Sequence, residues 1–419
     1  MLVVRSAAPR LEELMRTFRI VLLGGARQTG KTTLVRDLLD LPAISWFSLD
    51  DEATLGRATD DPVGFIEALP RPAAIDEFQR AGPGLLLAAK QAADQDRTRG
   101  RLLLTGSASY LADRSVSETL AGRAGRLTLW PFSEGERRGV HETFIERLFD
   151  ASAWPSAFPE TPSRPDLVER LLRGAYPEII TEALPARARR DWFEGYVRDV
   201  VSREALRPMA EVRLESDLRR VLRLLAARSC AELVIADLAR DAELSRETTA
   251  NYVALLEALY LVTLIPPWAT SATTRAKRRA KITLLDTGLA ADLVGAGEAT
   301  FAPSADGVLA GALFETLVVT EVLKQASWSE RSIEIAHFRD RDGAEIDLVV
   351  EDRRSGAVAG IEVKLTSTPL ARHARHLTRM RERVGARFSV GLVVHAGRVT
   401  LPLGADIWAV PISALWRHD

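Results

Sequence analysis

A glycine-rich segment near the N-terminus has the residue types and spacing of a phosphate-binding loop. Residues 25–32 read Gly-Ala-Arg-Gln-Thr-Gly-Lys-Thr, between an apolar run at 20–23 and a helical pattern that begins at Lys31. Glycines let successive backbone N–H groups converge on phosphate oxygens, and a helix N-terminus adds partial positive charge. The spacing predicts that Lys31 reaches the β- and γ-phosphates and that Thr32 offers its hydroxyl to Mg²⁺. A chance match on a glycine-rich turn is the alternative. The predicted nucleotide-contacting residues of this loop are Gly25, Ala26, Arg27, Gln28, Thr29, Gly30, Lys31, Thr32 and Thr33.

An acidic pair ends another apolar run. Asp76 and Glu77 follow the apolar residues 73–75. A strand that ends in a carboxylate is a Walker B pattern, in which Asp76 would hold Mg²⁺ through water. Glu77 would polarise the attacking water as a general base, so a glutamate here favours hydrolysis over nucleotide binding alone. The alternative is an exposed acidic pair at a strand end.

Two further segments could complete a nucleotide-hydrolysing site. The apolar run at 102–104 ends in Thr105, and we predict that Thr105 or Ser107 hydrogen-bonds the attacking water near the γ-phosphate. Arg123 or Arg126 is a candidate arginine finger, supplied to the nucleotide of a neighbouring subunit. The alternatives are a simple polar turn after residue 104 and solvated surface arginines.

Near the C-terminus, charged residues have the spacing of a metal-dependent nuclease motif. Asp347 precedes Glu362 and Lys364, which lie two residues apart and therefore share one face of a predicted strand. This pattern resembles the PD-(D/E)xK nuclease fold, which also carries an acid on the preceding helix, here Glu315. The resemblance implies that Asp347, Glu362 and Glu315 bind Mg²⁺. It also implies that Lys364 lowers the pKa of the attacking water or stabilises the developing phosphorane charge. The alternatives are ordinary charge alternation on an edge strand and a nuclease-like domain that only binds partners.

Apolar periodicity predicts the elements that position these residues. Apolar runs alternate with helical patterns in the N-terminal part, which predicts a parallel sheet covered by helices. The predicted strands there are 20–23, 44–49, 73–75, 101–104 and 127–130. The predicted C-terminal strands are 333–338, 346–351, 359–364, 389–395 and 406–409. The expected fold class is α/β, with an N-terminal P-loop NTPase sheet, a helical and winged-helix middle and a C-terminal α/β nuclease-like domain. The predicted domains are 1–135 (ATPase), 136–212 (helical lid or linker), 213–298 (winged helix) and 299–419 (nuclease-like).

The middle of the chain contains a candidate nucleic-acid interface. Three predicted helices within 214–265 have helix-turn-helix spacing, and Ser245 is the predicted N-cap of the third. A dense cationic run follows at 275–281. We therefore expect nucleic acid to contact residues 245–281 and the C-terminal domain. Arg246 and Thr248 would face bases, and the cationic run would meet phosphate. The alternatives are a winged helix that binds protein and a solvated loop.

Composition excludes several classes of protein. The 56 Lys+Arg nearly balance the 57 Asp+Glu, so any nucleic-acid contact needs a local basic patch. One cysteine, Cys230, excludes an intramolecular disulfide framework. The N-terminus lacks a signal-peptide pattern, and the longest apolar run, 258–269, is too short to span a membrane. We therefore expect a cytoplasmic protein without a membrane partner.

Lysine is scarce. A GC-rich genome that favours arginine explains this most simply, yet arginine cannot replace lysine where a compact point charge is needed. Each lysine is therefore a candidate for a specific role. The six lysines are Lys31, Lys90, Lys277, Lys281, Lys324 and Lys364.

Together these motifs resemble prokaryotic AAA-type ATPases that carry a C-terminal DUF4143 region. Besides the phosphate-binding loop, the segments that carry the resemblance are 75–80, 104–107, 120–123, 129–134, 173–178, 196–200 and 284–289. The resemblance implies a ring-forming or self-associating ATPase that uses ATP and Mg²⁺. One hypothesis is that nucleotide state controls a DNA-docking and cutting module. The other is a nucleotide-switched scaffold whose downstream domains only bind partners or nucleic acid.

Overall fold

The computed structural model describes residues 2–39, 44–106, 120–150, 154, 158, 161–204, 212–269, 278–340 and 343–416. The chain divides into two compact units. The first comprises residues 1–132, 176–181 and 258–260, and the second comprises 133–175, 182–257 and 261–419. The predicted domain boundaries after residues 212 and 298 fall inside the second unit, and the division into four domains stays a prediction.

The first unit contains a five-stranded parallel sheet, as predicted. Its strands are β1 (Ile20–Gly24), β2 (Ser45–Ser48), β3 (Ala73–Asp76), β4 (Leu102–Thr105) and β5 (Ala124–Thr128). Their order across the sheet is β2-β3-β4-β1-β5. Strands β1 and β4 are buried throughout because helices cover both faces of a parallel sheet. The order places β4 between the strand before the glycine loop and the strand that ends in Asp76.

Helices flank this sheet. They are α1 (Ala8–Thr17), α2 (Lys31–Thr33, continued by a π-helical turn, Leu34–Leu38), α3 (Glu52–Asp60), α4 (Pro62–Ala68) and α5 (Pro83–Gln95). Helices α4 and α5 begin at prolines, whose fixed φ suits the first helical position. Apolar side chains from α4 and α5 pack with β1, β3 and β4 in one buried cluster.

The second unit begins with a mainly helical part. Its helices are α6 (Phe144–Arg147), α7 (Arg164–Arg173), α9 (Ala186–Glu204), α10 (Val212–Ala226), α11 (Ile235–Ala242), α12 (Arg246–Ala258) and α13 (Thr287–Leu293). The short helix Pro177–Thr181, α8 in chain order, belongs to the first unit. The Ser245 hydroxyl accepts the Thr248 N–H at 3.0 Å, which confirms the predicted N-cap of α12.

A small antiparallel sheet accompanies α10, α11 and α12. Its strands are β6 (Ala231–Glu232), β7 (Val262–Ile265) and β8 (Lys281–Leu284), in the order β6-β8-β7. Helices and sheet strands of this kind are what a winged helix requires, and that assignment stays a prediction.

The C-terminal part of the second unit is a six-stranded mixed sheet with helices, which confirms a second α/β region. Strands β9 (Ile333–Arg339), β10 (Glu345–Asp352), β11 (Val358–Lys364), β12 (Phe388–His395), β13 (Leu401–Gly404) and β14 (Ile407–Pro411) lie in the order β13-β14-β12-β11-β10-β9. Helices α14 (Val308–Trp328) and α15 (Arg375–Val384) flank it. Short 3-10 turns occur at Phe78–Ala81, Glu136–Arg138, Glu298–Phe301, Ala371–Ala374, Gly385–Arg387 and Ile412–Leu415. None of the helices in the described ranges is both long and apolar enough to cross a membrane.

Candidate functional sites

The predicted phosphate-binding loop connects β1 to α2. Gly25 has φ +144°, and a Cβ there would lie 2.2 Å from the backbone oxygen of Leu129. Only glycine fits this close approach. Gln28 and Gly30 also have positive φ, at 59° and 89°, so the loop coils tightly before the helix begins at Lys31. Its backbone N–H groups therefore precede a helix N-terminus, as phosphate binding requires.

Lys31 and Thr32 follow this loop directly. The Lys31 ammonium is buried and donates to the carbonyl oxygens of Gly25, at 3.0 Å, and Ala26, at 2.8 Å. The Thr32 hydroxyl lies 3.5 Å from a carboxylate oxygen of Asp76. The residues predicted to hold Mg²⁺ are thus adjacent, and a hydroxyl with a carboxylate is a suitable partial ligand set for this hard cation.

Asp76, Glu77 and Thr105 converge beside the loop because β3 and β4 are neighbours in the sheet. The Thr105 hydroxyl donates to Asp76. Burial raises the pKa of Asp76, and the Thr105 hydrogen bond opposes that shift. Glu77 has φ 53°, and its carboxylate accepts the Gln79 side-chain amide at 2.5 Å. Of the predicted sensor residues, Thr105 therefore contacts Asp76, while Ser107 lies outside the described residues.

Arg5 contacts the phosphate-binding loop although the sequence pattern did not indicate it. Its buried guanidinium donates to the carbonyl oxygens of Thr29, at 2.8 Å, and Trp130, at 2.6 Å. It also lies 4.9 Å from the ring centroid of Phe132. Arg5 thus connects the loop to the segment that follows β5. No local pattern links it to a loop that begins twenty residues later.

The candidate arginine fingers lie on or next to β5. Arg123 forms a two-pronged ion pair with Asp94, with N–O distances of 2.6 and 3.2 Å. The Arg126 side chain is exposed. Water screens an ion pair at the surface, so this pair opposes release of Arg123 only weakly.

The C-terminal carboxylates converge as the sequence predicted. Glu315 lies on α14, Asp347 on β10, and Glu362 and Lys364 on β11. The Lys364 ammonium is 2.9 Å from Glu362 and 3.8 Å from Asp347. Asp347 also accepts the backbone N–H of Val363 at 2.8 Å. Strand alternation and pairing therefore gather these charges at one place.

The same cluster contains two residues that were not predicted there, Lys281 and Glu345. The ammonium of Lys281, on β8, lies 3.0 Å from Glu315, 2.8 Å from Glu345 and 3.3 Å from Asp347. Lys281 is 3% exposed. It therefore cannot meet nucleic-acid phosphate as predicted for the cationic run, and that role is wrong for this residue. The lysine scarcity was a usable signal for a specific role.

Two lysines, Lys281 and Lys364, lie among the acids of the predicted C-terminal metal site, and that site stays a prediction. Within the described part of the chain, no group of three or more His, Cys, Asp or Glu side chains is placed to hold a metal ion. Burial raises the pKa of both Glu315 and Glu362 to about 8. Burial alone would lower the pKa of Lys281, but the carboxylates of Asp347, Glu315 and Glu345 outweigh it and raise that pKa. The ammonium groups of Lys281 and Lys364 thus offset carboxylate charge in the cluster.

The remaining residues of the predicted nucleic-acid interface differ in accessibility. Arg246 is exposed, and Thr248 is half-buried at the start of α12. Arg278 donates to the backbone oxygen of Arg339 at 2.5 Å. Residues 275–277 lie outside the described ranges.

A second buried charge cluster ties α14 to the residues after Ser133. Lys324 donates to Glu321 at 2.6 Å, and both residues are at least 98% buried. The other carboxylate oxygen of Glu321 accepts the backbone N–H of Glu134 at 2.9 Å. Glu134 pairs in turn with Arg137 and Arg170. Lys324 thus has a structural role.

Comparison with family models identifies the parts of the chain. Residues 17–137 match an AAA domain, 164–300 match a domain of unknown function (DUF8612), and 310–415 match a domain of unknown function (DUF4143). The chain therefore carries an AAA domain at its N-terminus and DUF4143 at its C-terminus, which confirms the resemblance. The motifs at 173–178, 196–200 and 284–289 fall in the DUF8612 match and not in DUF4143.

Similar proteins include two curated relatives. Uncharacterized protein Mb2031c of Mycobacterium bovis and uncharacterized protein Rv2008c of Mycobacterium tuberculosis are each 28% identical over 415 residues, which cover 98% of this chain and 84% of the relative. Among solved structures, the Walker-type ATPase paby2304 of Pyrococcus abyssi is 16% identical with a TM-score of 0.41, covering 68% of this chain and 94% of that one. The Thermotoga maritima RuvB Holliday junction branch migration motor is 18% identical with a TM-score of 0.30, covering 63% and 90%.

Proposed function

We propose that this chain binds ATP together with Mg²⁺ and hydrolyses the nucleotide. The observation that carries the proposal is the convergence of Thr32, Asp76 and Thr105 beside the glycine loop, with Glu77 adjacent. These side chains come from three separate parts of the sequence. Their meeting at the carboxyl edge of a parallel sheet is the arrangement that phosphoryl chemistry needs. The AAA-domain match over 17–137 supports it.

Each residue has a role that follows from its position. The N–H groups of 25–32 hold phosphate oxygens, and Lys31 exchanges its two carbonyl partners for the β- and γ-phosphates. Thr32 and Asp76 would hold Mg²⁺, which supplies charge neutralisation at the phosphates. Glu77 accepts a proton from the attacking water, and Gln79 orients its carboxylate.

Two substitutions test this proposal. Lys31→Ala should abolish ATP turnover, whereas Glu77→Gln should retain ATP binding and stop hydrolysis. Turnover is measured by phosphate release and binding by titration with ATP. Lys90→Ala is the matched control, since Lys90 is half-exposed on α5 and far in sequence from the loop. Wild-type turnover in either site variant would refute the assignment.

We also propose that the ATPase self-associates and that Arg123 acts on a neighbouring subunit. Arg123 must leave Asp94 to do so, and the solvent screening of this surface ion pair keeps the cost of that step small. A mixture of Arg123→Ala and Lys31→Ala chains should regain turnover, because one contributes an intact loop and the other an intact arginine. If neither variant is active alone and mixing restores nothing, action between subunits is excluded.

Two candidate functions remain for the second unit. In one, nucleotide state controls a winged-helix and nuclease-like module that binds and cuts nucleic acid. In the other, the nuclease-like region is inactive and binds partners. The position of Lys281 among Glu315, Glu345 and Asp347 favours the second. Cleavage of DNA or RNA with Mg²⁺ or Mn²⁺, lost in Asp347→Ala, would instead support the first.

A further inference from the structure

We propose that Lys281 is the resident cation of the C-terminal carboxylate cluster, and that its ammonium takes the place of a divalent metal ion. Its three partners come from two elements, Glu315 on α14 and Glu345 and Asp347 on β10. An ammonium has three N–H donors, and three carboxylates surround this one. Each N–H donor of Lys281 therefore has a carboxylate partner.

The distances distinguish an ammonium from a metal ion. The three N–O separations run from 2.8 to 3.3 Å. Mg²⁺ requires oxygens at about 2.0–2.1 Å, and Mn²⁺ prefers similar oxygen-rich octahedral sites. A divalent ion could enter only if the ammonium left and the carboxylates moved inward. The ammonium therefore already neutralises the carboxylates and occupies the space that a divalent ion would need.

The partners of Asp347 also argue against a bound metal ion. One of its oxygens faces Lys281, and the other accepts the Val363 N–H and lies 3.8 Å from Lys364. Both carboxylate oxygens of Asp347, a predicted metal ligand, thus already have partners. Glu362 Oε1 makes no hydrogen bond and lies 3.6 Å from Nδ1 of His376. Removal of the ammonium would leave the oxygens of Glu315, Glu345 and Asp347 that now face it available to a metal ion.

Lys281 reaches the acids from a different sheet. Lys281 begins β8 and pairs with Ile265 of β7, so its ammonium reaches the cluster from the small three-stranded sheet. The small sheet thus supplies the cation to acids on α14 and β10 of the same unit. This inference deepens the second candidate function of that unit, and it does not depend on ATP hydrolysis.

Mn²⁺ binding to the full chain without nucleotide tests the inference. Wild type and Asp347→Asn should give the same Mn²⁺ titration, because the ammonium already fills the site. Lys281→Met keeps the length of the side chain and removes the charge, so it should gain one Mn²⁺ site per chain, at least about tenfold tighter than any in wild type. The double variant Lys281→Met/Asp347→Asn should lose that site.

Melting temperature provides a second measurement. Wild type should melt at the same temperature in EDTA and in millimolar Mn²⁺, whereas Lys281→Met should be destabilised and recover with Mn²⁺. Wild-type Mn²⁺ binding that Asp347→Asn abolishes would overturn the inference. A folded Lys281→Met chain without new Mn²⁺ binding, or one that stays unfolded in Mn²⁺, would also overturn it. ATP turnover of the wild-type preparation reports separately on the ATPase proposal.

Discussion

Arg5→Ala should weaken nucleotide binding, because Arg5 holds the phosphate-binding loop from outside. Its guanidinium donates to Thr29 in the loop and to Trp130 beyond β5, and it stacks on Phe132. Each hydrogen bond from a charged group contributes about 1.5–3 kcal/mol. The cation–π contact adds about 0.5–2 kcal/mol. The variant should therefore lose roughly 3.5–8 kcal/mol of stability in the first unit, which lowers Tm by roughly 10–30 °C.

Only the bond to Thr29 holds the loop itself. Its share, about 1.5–3 kcal/mol, corresponds to a roughly ten- to hundredfold weaker Kd if the loop must be reordered on binding. The assay is calorimetric titration with a non-hydrolysable ATP analogue, below the melting temperature of the variant. Arg5→Lys should recover only part of the affinity, because an ammonium lacks the planar fork that reaches two carbonyls.

Arg10→Ala is the matched control for this experiment. Arg10 lies on α1 and pairs with Glu13 on the surface, with side-chain exposures of 38% and 62%. Its removal should change stability by less than about 1 kcal/mol and leave nucleotide affinity unchanged. If Arg5→Ala melts early but keeps wild-type affinity, the bond to Thr29 does not organise the loop and the reasoning is refuted.

Two other substitutions follow from the same geometry. Gly25→Ala should abolish ATP turnover because its Cβ would lie 2.2 Å from the Leu129 oxygen, whereas Gly56→Ala, with open space around it, should be neutral in the same phosphate-release assay. Lys324→Met should reduce the free energy of unfolding by about 3–5 kcal/mol, since it leaves the Glu321 carboxylate buried without its cation. Burial raises the pKa of Glu321, so protonation favours the folded state, and the loss should shrink in urea unfolding at mildly acidic pH. An equal loss at both pH values would show that the charge is not responsible.

The convergence of residues at the proposed nucleotide site was predictable because the sequence signals are local. The glycine loop, its flanking strand and its helix are contiguous, and Asp76 and Thr105 each end an apolar run. Arg5 escaped prediction because its partners lie 24 and 125 residues away. A long-range contact of this kind leaves no periodic pattern in one sequence.

The same distinction applies to the fold. Buried strands such as β1 and β4 were found from apolar runs, whereas β5 begins at Ala124, three residues before the prediction, because Gly125 and Arg126 interrupt its apolar pattern. Strand β13 was not predicted, since it is mostly exposed and contains Pro402 at the sheet edge. The order of the strands depends on pairing between distant segments and likewise could not be predicted from the sequence.

The rarity of lysine pointed to a specific role for Lys281, whereas its place in a cationic run indicated the wrong role. Its neighbours in sequence are cationic, which indicated a solvated or phosphate-binding loop. The contacts with Glu315, Glu345 and Asp347 join residues 34 or more positions away. Glu315 and Asp347 were predicted from the nuclease-like pattern, but Glu345 was not, and the lysine that pairs with all three comes from another sheet. Only the rarity of lysine in an arginine-rich chain marked the residue.

Lysine-to-arginine substitutions separate genome bias from chemical need. Lys281→Arg keeps the charge, but the guanidinium is planar, larger and carries five donors, so it does not fit a pocket shaped around one nitrogen. Overpacking of this kind should destabilise the chain by about 1–3 kcal/mol. Lys90→Arg, at a half-exposed position, should stay within about 0.5 kcal/mol of wild type. Urea unfolding measures both. Equal stability of the two variants would mean that either cation suits the cluster and that bias alone placed lysine at 281. A selective loss at 281 would mean that the compact ammonium is required by the carboxylates around it.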